Sequence, residues 1–351
     1  MKGRHCFLVL FSLALTFPGS AQETKSRGGP AWEQQYRQLL ETNRGLQDKI
    51  DRGETSRQEL IAWLKWRAEG TVTPPSAGEL KRQEPSGKKD RTASEEVSFQ
   101  HGKVERKYLL HLPEDLPDNA PLVFLLHGYH GKAKNVARIG MNRLADQHGF
   151  AVCYPQGSGD DRRGTPHWNA RLKISRVDDI GFLSELAQHL QQNHKLSPER
   201  TFVCGISNGG YMSYTLVAER PDVFKAAASM IGTMSGETWR KRESIKPVPI
   251  MQISGLADRV VPIDGSMSES GGWGGAPHQD EIIKFWKELN QTKTEEVIKI
   301  SERTTGYRYA GAESGNEVWY YTVEGLGHSV PTKRRHGISS LELVWEFFSR
   351  Y

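Results

Sequence analysis

The 351 residues are 36% apolar and 25% charged, with 35 Gly and 17 Pro, which suits one large domain with an appendage, or two ordinary ones, and excludes wholesale disorder. Basic residues number 47 against 42 acidic, a net of +5 without a dense Lys/Arg block, so nucleic acid is a poor partner. Past the first 17 positions no apolar run approaches the ~20 residues a membrane span needs, so an integral membrane protein is excluded.

Lys2 and Arg4 form a positive n-region, Cys6 to Phe17 an apolar h-region, and Gly19-Ser20-Ala21 a set of small residues before a cleavage point. Residues 1–21 therefore read as a signal peptide, and the mature protein as secreted or periplasmic. Cys153 and Cys204 then remain. Export permits a disulfide, but both sit in apolar runs that read as buried strands, where unpaired thiols pack as small hydrophobes. Trp32, Tyr36, Leu39, Leu40, Leu46 and Ile50 recur at helical spacing, and Ser56 with Glu59 forms a capping box ahead of Leu60, Trp63 and Leu64. Residues 22–68 thus predict a small helical hairpin, either a spacer or a partner-binding pair. Residues 69–96, punctuated by Pro74-Pro75, Pro85 and Lys88-Lys89, have linker composition.

From residue 97 strands alternate with helices. Strands are predicted over 104–112, 121–126, 150–154, 201–206, 226–230, 248–253, 295–300 and 317–323. Helices are predicted over 135–148, 177–194, 209–220, 279–289 and 339–351. The continuous apolar run Pro121 to Leu126 is the kind buried on both faces of a parallel sheet. The alternation predicts an α/β, doubly wound, mostly parallel sheet over residues 97–351.

Gly205-Ile206-Ser207-Asn208-Gly209 matches G-x-S-x-G where an apolar strand ends and a helix begins. Such an elbow is tight enough to exclude Cβ atoms two residues to either side, and it lifts the Ser207 hydroxyl toward solvent. A serine hydroxyl is a poor nucleophile at neutral pH, so it needs a base, and the base needs an orienting carboxylate. The strand at 248–253 runs into Asp258, and the strand at 317–323 into His328, which makes Asp258 the carboxylate and His328 the base. Asp264 competes for the first role and His278 and His336 for the second, but none follows a strand as directly. Two donors should hold the developing oxyanion: the backbone N–H of Asn208 and, from the loop His127-Gly128-Tyr129-His130-Gly131, that of Tyr129. His127 and His130 could instead suggest metal ligands. No further cluster stands at matching spacing, so neither a metal nor an organic cofactor is expected.

Together these motifs resemble the secreted polyhydroxybutyrate depolymerase and feruloyl esterase group of α/β-hydrolases, relatives of carbohydrate esterase family one. The resemblance covers residues 97–351. It is carried by Leu126-His127-Gly128-Tyr129, Trp168-Asn169, Asp178-Asp179-Ile180-Gly181-Phe182, Gly205 to Gly210, Gly255 to Asp258 with Val261-Pro262, Gly271 to Pro277, and Gly327-His328-Ser329 with Pro331. It implies the α/β-hydrolase fold, a Ser207–Asp258–His328 triad and an oxyanion hole at Tyr129 and Asn208. Asp179 would cap a helix, and Trp168 and Trp273 would flank the acyl pocket unless they serve packing. Val330, His167 and Tyr129 stand where this group often carries Trp, Cys and Cys.

The expected activity is that of a secreted serine carboxylic-ester hydrolase. Its substrate would be a feruloyl or acetyl ester of polysaccharide, or a polyhydroxybutyrate-type polyester. The alternatives are a secreted serine peptidase of the same fold and a non-catalytic relic used for binding.

Overall fold

The computed structural model describes residues 96–159, 164–269 and 272–351. The expected signal peptide, helical hairpin and all but the last residue of the linker lie outside the described residues.

Ten strands form one sheet in the order β1-β2-β4-β3-β5-β6-β7-β10-β9-β8. The strands are β1 (Glu96–His101), β2 (Val104–His111), β3 (Leu122–Leu126), β4 (Ala151–Pro155), β5 (Thr201–Ile206), β6 (Ala226–Met230), β7 (Ile250–Gly255), β8 (Thr294–Lys299), β9 (Thr304–Ala310) and β10 (Val318–Val323). Strands β4, β3, β5, β6, β7 and β10 run parallel; β1–β2 and β9–β8 add antiparallel flanks. Every residue of β3, β4, β6 and β7 is buried, because helices cover both faces of the sheet. Side chains alternate between two cores: Leu122, Phe124 and Leu126 join one, Val123 and Leu125 the other. The first core is closed by α3 (Asp179–Asn193), α4 (Asn208–Glu219) and α6 (Gln279–Asn290). The second is closed by α1 (Ala133–Val136), α2 (Met141–His148) and α8 (Ser340–Phe348). Two short helices, α5 (Gly236–Arg240) and α7 (Lys333–His336), lie in the loops after β6 and β10.

Three features depart from expectation. The helix predicted over 135–148 is two, because the backbone breaks at Gly140, whose φ of 117° no helix continues. Strand β1 was not anticipated: it is an edge strand, mostly exposed, and its apolar alternation is only two residues long, Val97 and Phe99. Strand β9 was also not anticipated, since Gly306 and Arg308 interrupt its pattern. Gly306 leaves a slot for the Tyr321 ring, which a Cβ would approach to 2.6 Å. Cys153 and Cys204 are both free, and they face opposite cores across the sheet. Burial raises the pKa of each thiol, so neither forms a thiolate at neutral pH.

Candidate active site

Ser207 joins β5 to α4 with φ 54° and ψ −117°, a left-handed strained backbone for a residue bearing a side chain. The turn is held by Ser207 N–H donating to Met230 O (2.9 Å) and by Gly210 N–H donating to Ser207 O (2.7 Å). Its tightness is measurable: a Cβ on Gly205 would lie 2.2 Å from the Gly209 backbone, and one on Gly209 2.5 Å from Leu126 O.

The paired ends of β7 and β10 carry the other two groups. Leu256 N–H donates to Val323 O (3.0 Å) and Ala257 N–H to Leu326 O (3.0 Å), which ties the Asp258 loop to the His328 loop. His328 Nδ1–H donates to Asp258 Oδ2 (2.7 Å), and His328 Nε2 accepts from Ser207 Oγ at 2.8 Å. Asp258 Oδ1 takes the amides of Val260 (2.8 Å) and Val261 (2.9 Å). Burial alone would raise the Asp258 pKa. The bond from His328 and the two amides outweigh it, and the carboxyl lies below its ordinary value. The competing residues are engaged elsewhere: Asp264 bonds Ser266, His278 accepts from Asp280 N–H at the start of α6, and His336 accepts from Thr332 N–H.

Gly128 sets the 127–131 loop against the elbow. A Cβ there would stand 3.3 Å from Ile206 O and 3.4 Å from Ser207 Cβ. Asn208 opens α4, where a first-turn N–H has no intrahelical acceptor and the helix dipole favours negative charge. His127 is fully buried. Its Nε2 accepts from Gly157 N–H (2.9 Å), so Nδ1 carries the proton and donates to Gly128 O (2.8 Å). Burial depresses its pKa to about 4, aided by the neighbouring His167 and opposed by the Gly128 bond. The unfolded imidazole titrates near 6.5, so the unfolded chain takes up this proton first as pH falls. The contribution to stability is complete above 6.5 and is lost by about pH 4, a total of about 3 kcal/mol. Melting wild type and His127→Gln between pH 7 and 4 should show a smaller acid loss in the variant; parallel curves would contradict this assignment.

Two expectations change here. Trp168 is fully buried and has no face open to an acyl group; its indole N–H donates to His127 O (2.8 Å), which makes it a packing wedge. The α3 cap is Asp178, which accepts from Gly181 N–H (2.8 Å). Asp179 is buried, accepting Arg106 Nη2 at one oxygen (2.7 Å) and Asn169 N–H at the other (2.7 Å). Sequence reasoning missed this pair, although a charged residue at position 106 of a half-apolar strand was its signal. Trp273 is half-buried, packed edge-on to Tyr129 with centroids 5.4 Å apart. It lines a cleft of about 650 Å³ with Leu256, Val260, Pro262 and Met267. Leu256 and Val260, on either side of Asp258, are 46% and 59% exposed, an uncovered apolar surface beside the candidate triad. Among the described residues no cluster of three or more His, Cys, Asp or Glu is arranged to hold a metal ion, and no helix is long and apolar enough to cross a membrane.

A model of the prolyl oligopeptidase family matches residues 141–254. Over 244 residues the chain is 27% identical to poly(3-hydroxyalkanoate) depolymerase C of Paucimonas lemoignei, covering 63% of this chain and 58% of the depolymerase. Over 137 residues it is 27% identical to feruloyl esterase B of Thermothelomyces thermophilus, covering 36% of this chain and 44% of that enzyme. The chain thus spans about half the length of these curated relatives. The acetyl xylan esterase of Aspergillus awamori superposes with a TM-score of 0.54 at 15% identity, over 74% of this chain and all of the esterase, a likeness of fold. In architecture the chain is an α/β-hydrolase, and in sequence it is related to the group that holds polyhydroxyalkanoate depolymerases and feruloyl esterases.

Proposed function

We propose that residues 97–351 form the catalytic domain of a serine carboxylic-ester hydrolase, exported behind the leader at 1–21. The observation that carries this reading is the continuous hydrogen-bonded line Ser207–His328–Asp258 at the ends of three parallel strands. Ser207 Oγ attacks the ester carbonyl while His328 Nε2 takes its proton. Asp258 keeps the imidazole proton on Nδ1 and stabilises the imidazolium that forms. The amides of Asn208 and Tyr129 receive the oxyanion, each donor lowering the barrier by about 3 kcal/mol. The alcohol departs with the proton from His328, and water repeats the sequence on the acyl-enzyme. The cleft beside Asp258 mixes apolar walls (Trp273, Leu256 and Met267) with polar ones (Arg259, Asp264 and Ser266), which suits an aromatic acyl group bearing polar substituents, so hydroxycinnamoyl esters of polysaccharide are favoured over simple acetates. Polyhydroxyalkanoate-type esters remain within the same chemistry.

The match of residues 141–254 to the prolyl oligopeptidase family favours a second reading, a serine peptidase using the same groups on an amide. Labelling the full chain with a fluorophosphonate, then comparing feruloyl, acetyl and 3-hydroxybutyryl esters with peptide amides, tests both. Stoichiometric labelling with ester turnover well above amide turnover is expected. A preference for amides would install the peptidase, and an unlabelled folded protein would leave a non-catalytic relic.

A further inference from the structure

The two oxyanion donors belong to segments far apart in sequence, and one short segment, residues 166–169, touches both. Pro166 O accepts from His130 N–H (2.9 Å), and Trp168 Nε1–H donates to His127 O (2.8 Å), which fastens the oxyanion loop at each end. On its other side the same segment grips the elbow. Trp168 N–H donates to Asn208 Oδ1 (2.7 Å), and Asn208 Nδ2 donates to Trp168 O (3.1 Å). The segment is anchored in turn, because Asn169 N–H donates to Asp179 Oδ2, whose partner oxygen is held by Arg106 of β2. Trp168, Asn208, Asp179 and Arg106 are 0%, 0%, 1% and 4% exposed, so these bonds form out of water, where a misplaced partner cannot be replaced by solvent.

We propose that the Arg106–Asp179 pair and Trp168 act as a brace that fixes the spacing between the Tyr129 and Asn208 amides. They are positioning residues that touch neither substrate nor nucleophile. The inference rests on the esterase reading. A buried ion pair is costly to form and its replacement by apolar residues is often neutral for stability, so stability alone does not account for this pair. Its distinctive product is geometry: an ångström of misplacement near reacting atoms can cost on the order of 10²-fold in rate. The oxyanion is present only in the transition state, so a loosened brace should lower kcat and leave KM alone.

The test uses the full chain with Arg106→Met/Asp179→Leu, which removes both buried charges together, and Trp168→Phe, which removes the indole donor while keeping an aromatic ring in the core. Rates are taken per active site titrated with fluorophosphonate, so unfolded protein does not count. Each variant should lose roughly 10- to 100-fold in kcat with KM within about twofold of wild type, and affinity for a trifluoromethyl ketone inhibitor should fall by the same factor as kcat/KM. Wild-type kcat per titrated site in both variants, or a rise in KM at constant kcat, would overturn the brace. Loss of any Ser207-dependent turnover in wild type itself would instead remove the esterase reading, and the brace with it.

Discussion

Ser207→Ala is expected to lower kcat on an activated ester such as p-nitrophenyl acetate by on the order of 10⁶-fold, with the fold intact. The Ser207 Oγ atom bonds His328 Nε2, and the elbow is held instead by backbone bonds to Met230 and Gly210, which alanine leaves in place. The stability change should stay within about 1 kcal/mol, the worth of one ordinary hydrogen bond. Alanine keeps the positive φ of serine, so the strain of the turn is not relieved either. Steady-state kinetics beside a thermal melt checks both halves. Full activity in a folded variant would refute the nucleophile, whereas a small residual rate above water is what the oxyanion amides alone should give.

The second large effect is that of Asp258→Asn, on the order of 10⁴-fold in kcat. The amides of Val260 and Val261 point at Oδ1, so the asparagine carbonyl oxygen takes that position and its NH₂ turns toward His328. An NH₂ donates, so Nδ1 must accept, and the imidazole proton moves to Nε2. That nitrogen can then no longer receive the proton of Ser207. The substitution is nearly isosteric, so the protein should fold and bind substrate with unchanged KM. Retained kcat would show that Asp258 does not set the tautomer. In wild type the Asp258 pKa is below its ordinary value, so its charge persists to acid and is lost only as pH falls through that depressed value. A decline in kcat/KM above about pH 5 therefore cannot arise from its protonation.

Strand ends were the legible part of this sequence. Runs such as Pro121 to Leu126 and Thr201 to Ile206 are buried on both faces, so their composition alone marks them, and Ser207, Asp258 and His328 each follow such a run within a few residues. Strand β1, at the edge of the sheet, and strand β9, between β10 and β8, were not legible, because each carries only a short apolar alternation, Val97 and Phe99 in one and Tyr307 and Tyr309 in the other. The choice between pocket and packing for Trp168 was not legible for a related reason. An aromatic residue in a Gly- and Pro-rich loop looks available to a ligand, and only three-dimensional closure of that loop over the elbow makes it core. The roles of Asp178 and Asp179 could not be told apart from two adjacent carboxylates; the difference lies in Arg106, 73 residues away, reaching one and not the other.

Cys153 and Cys204 point away from each other through the thickness of the sheet, and each is fully buried, Cys204 Sγ donating to Phe124 O. No oxidant can link them without unpicking β4 from its neighbours, and no reductant finds a bond to cut. Residues 97–351 should therefore reach the same state in a reducing cytosol as outside the cell.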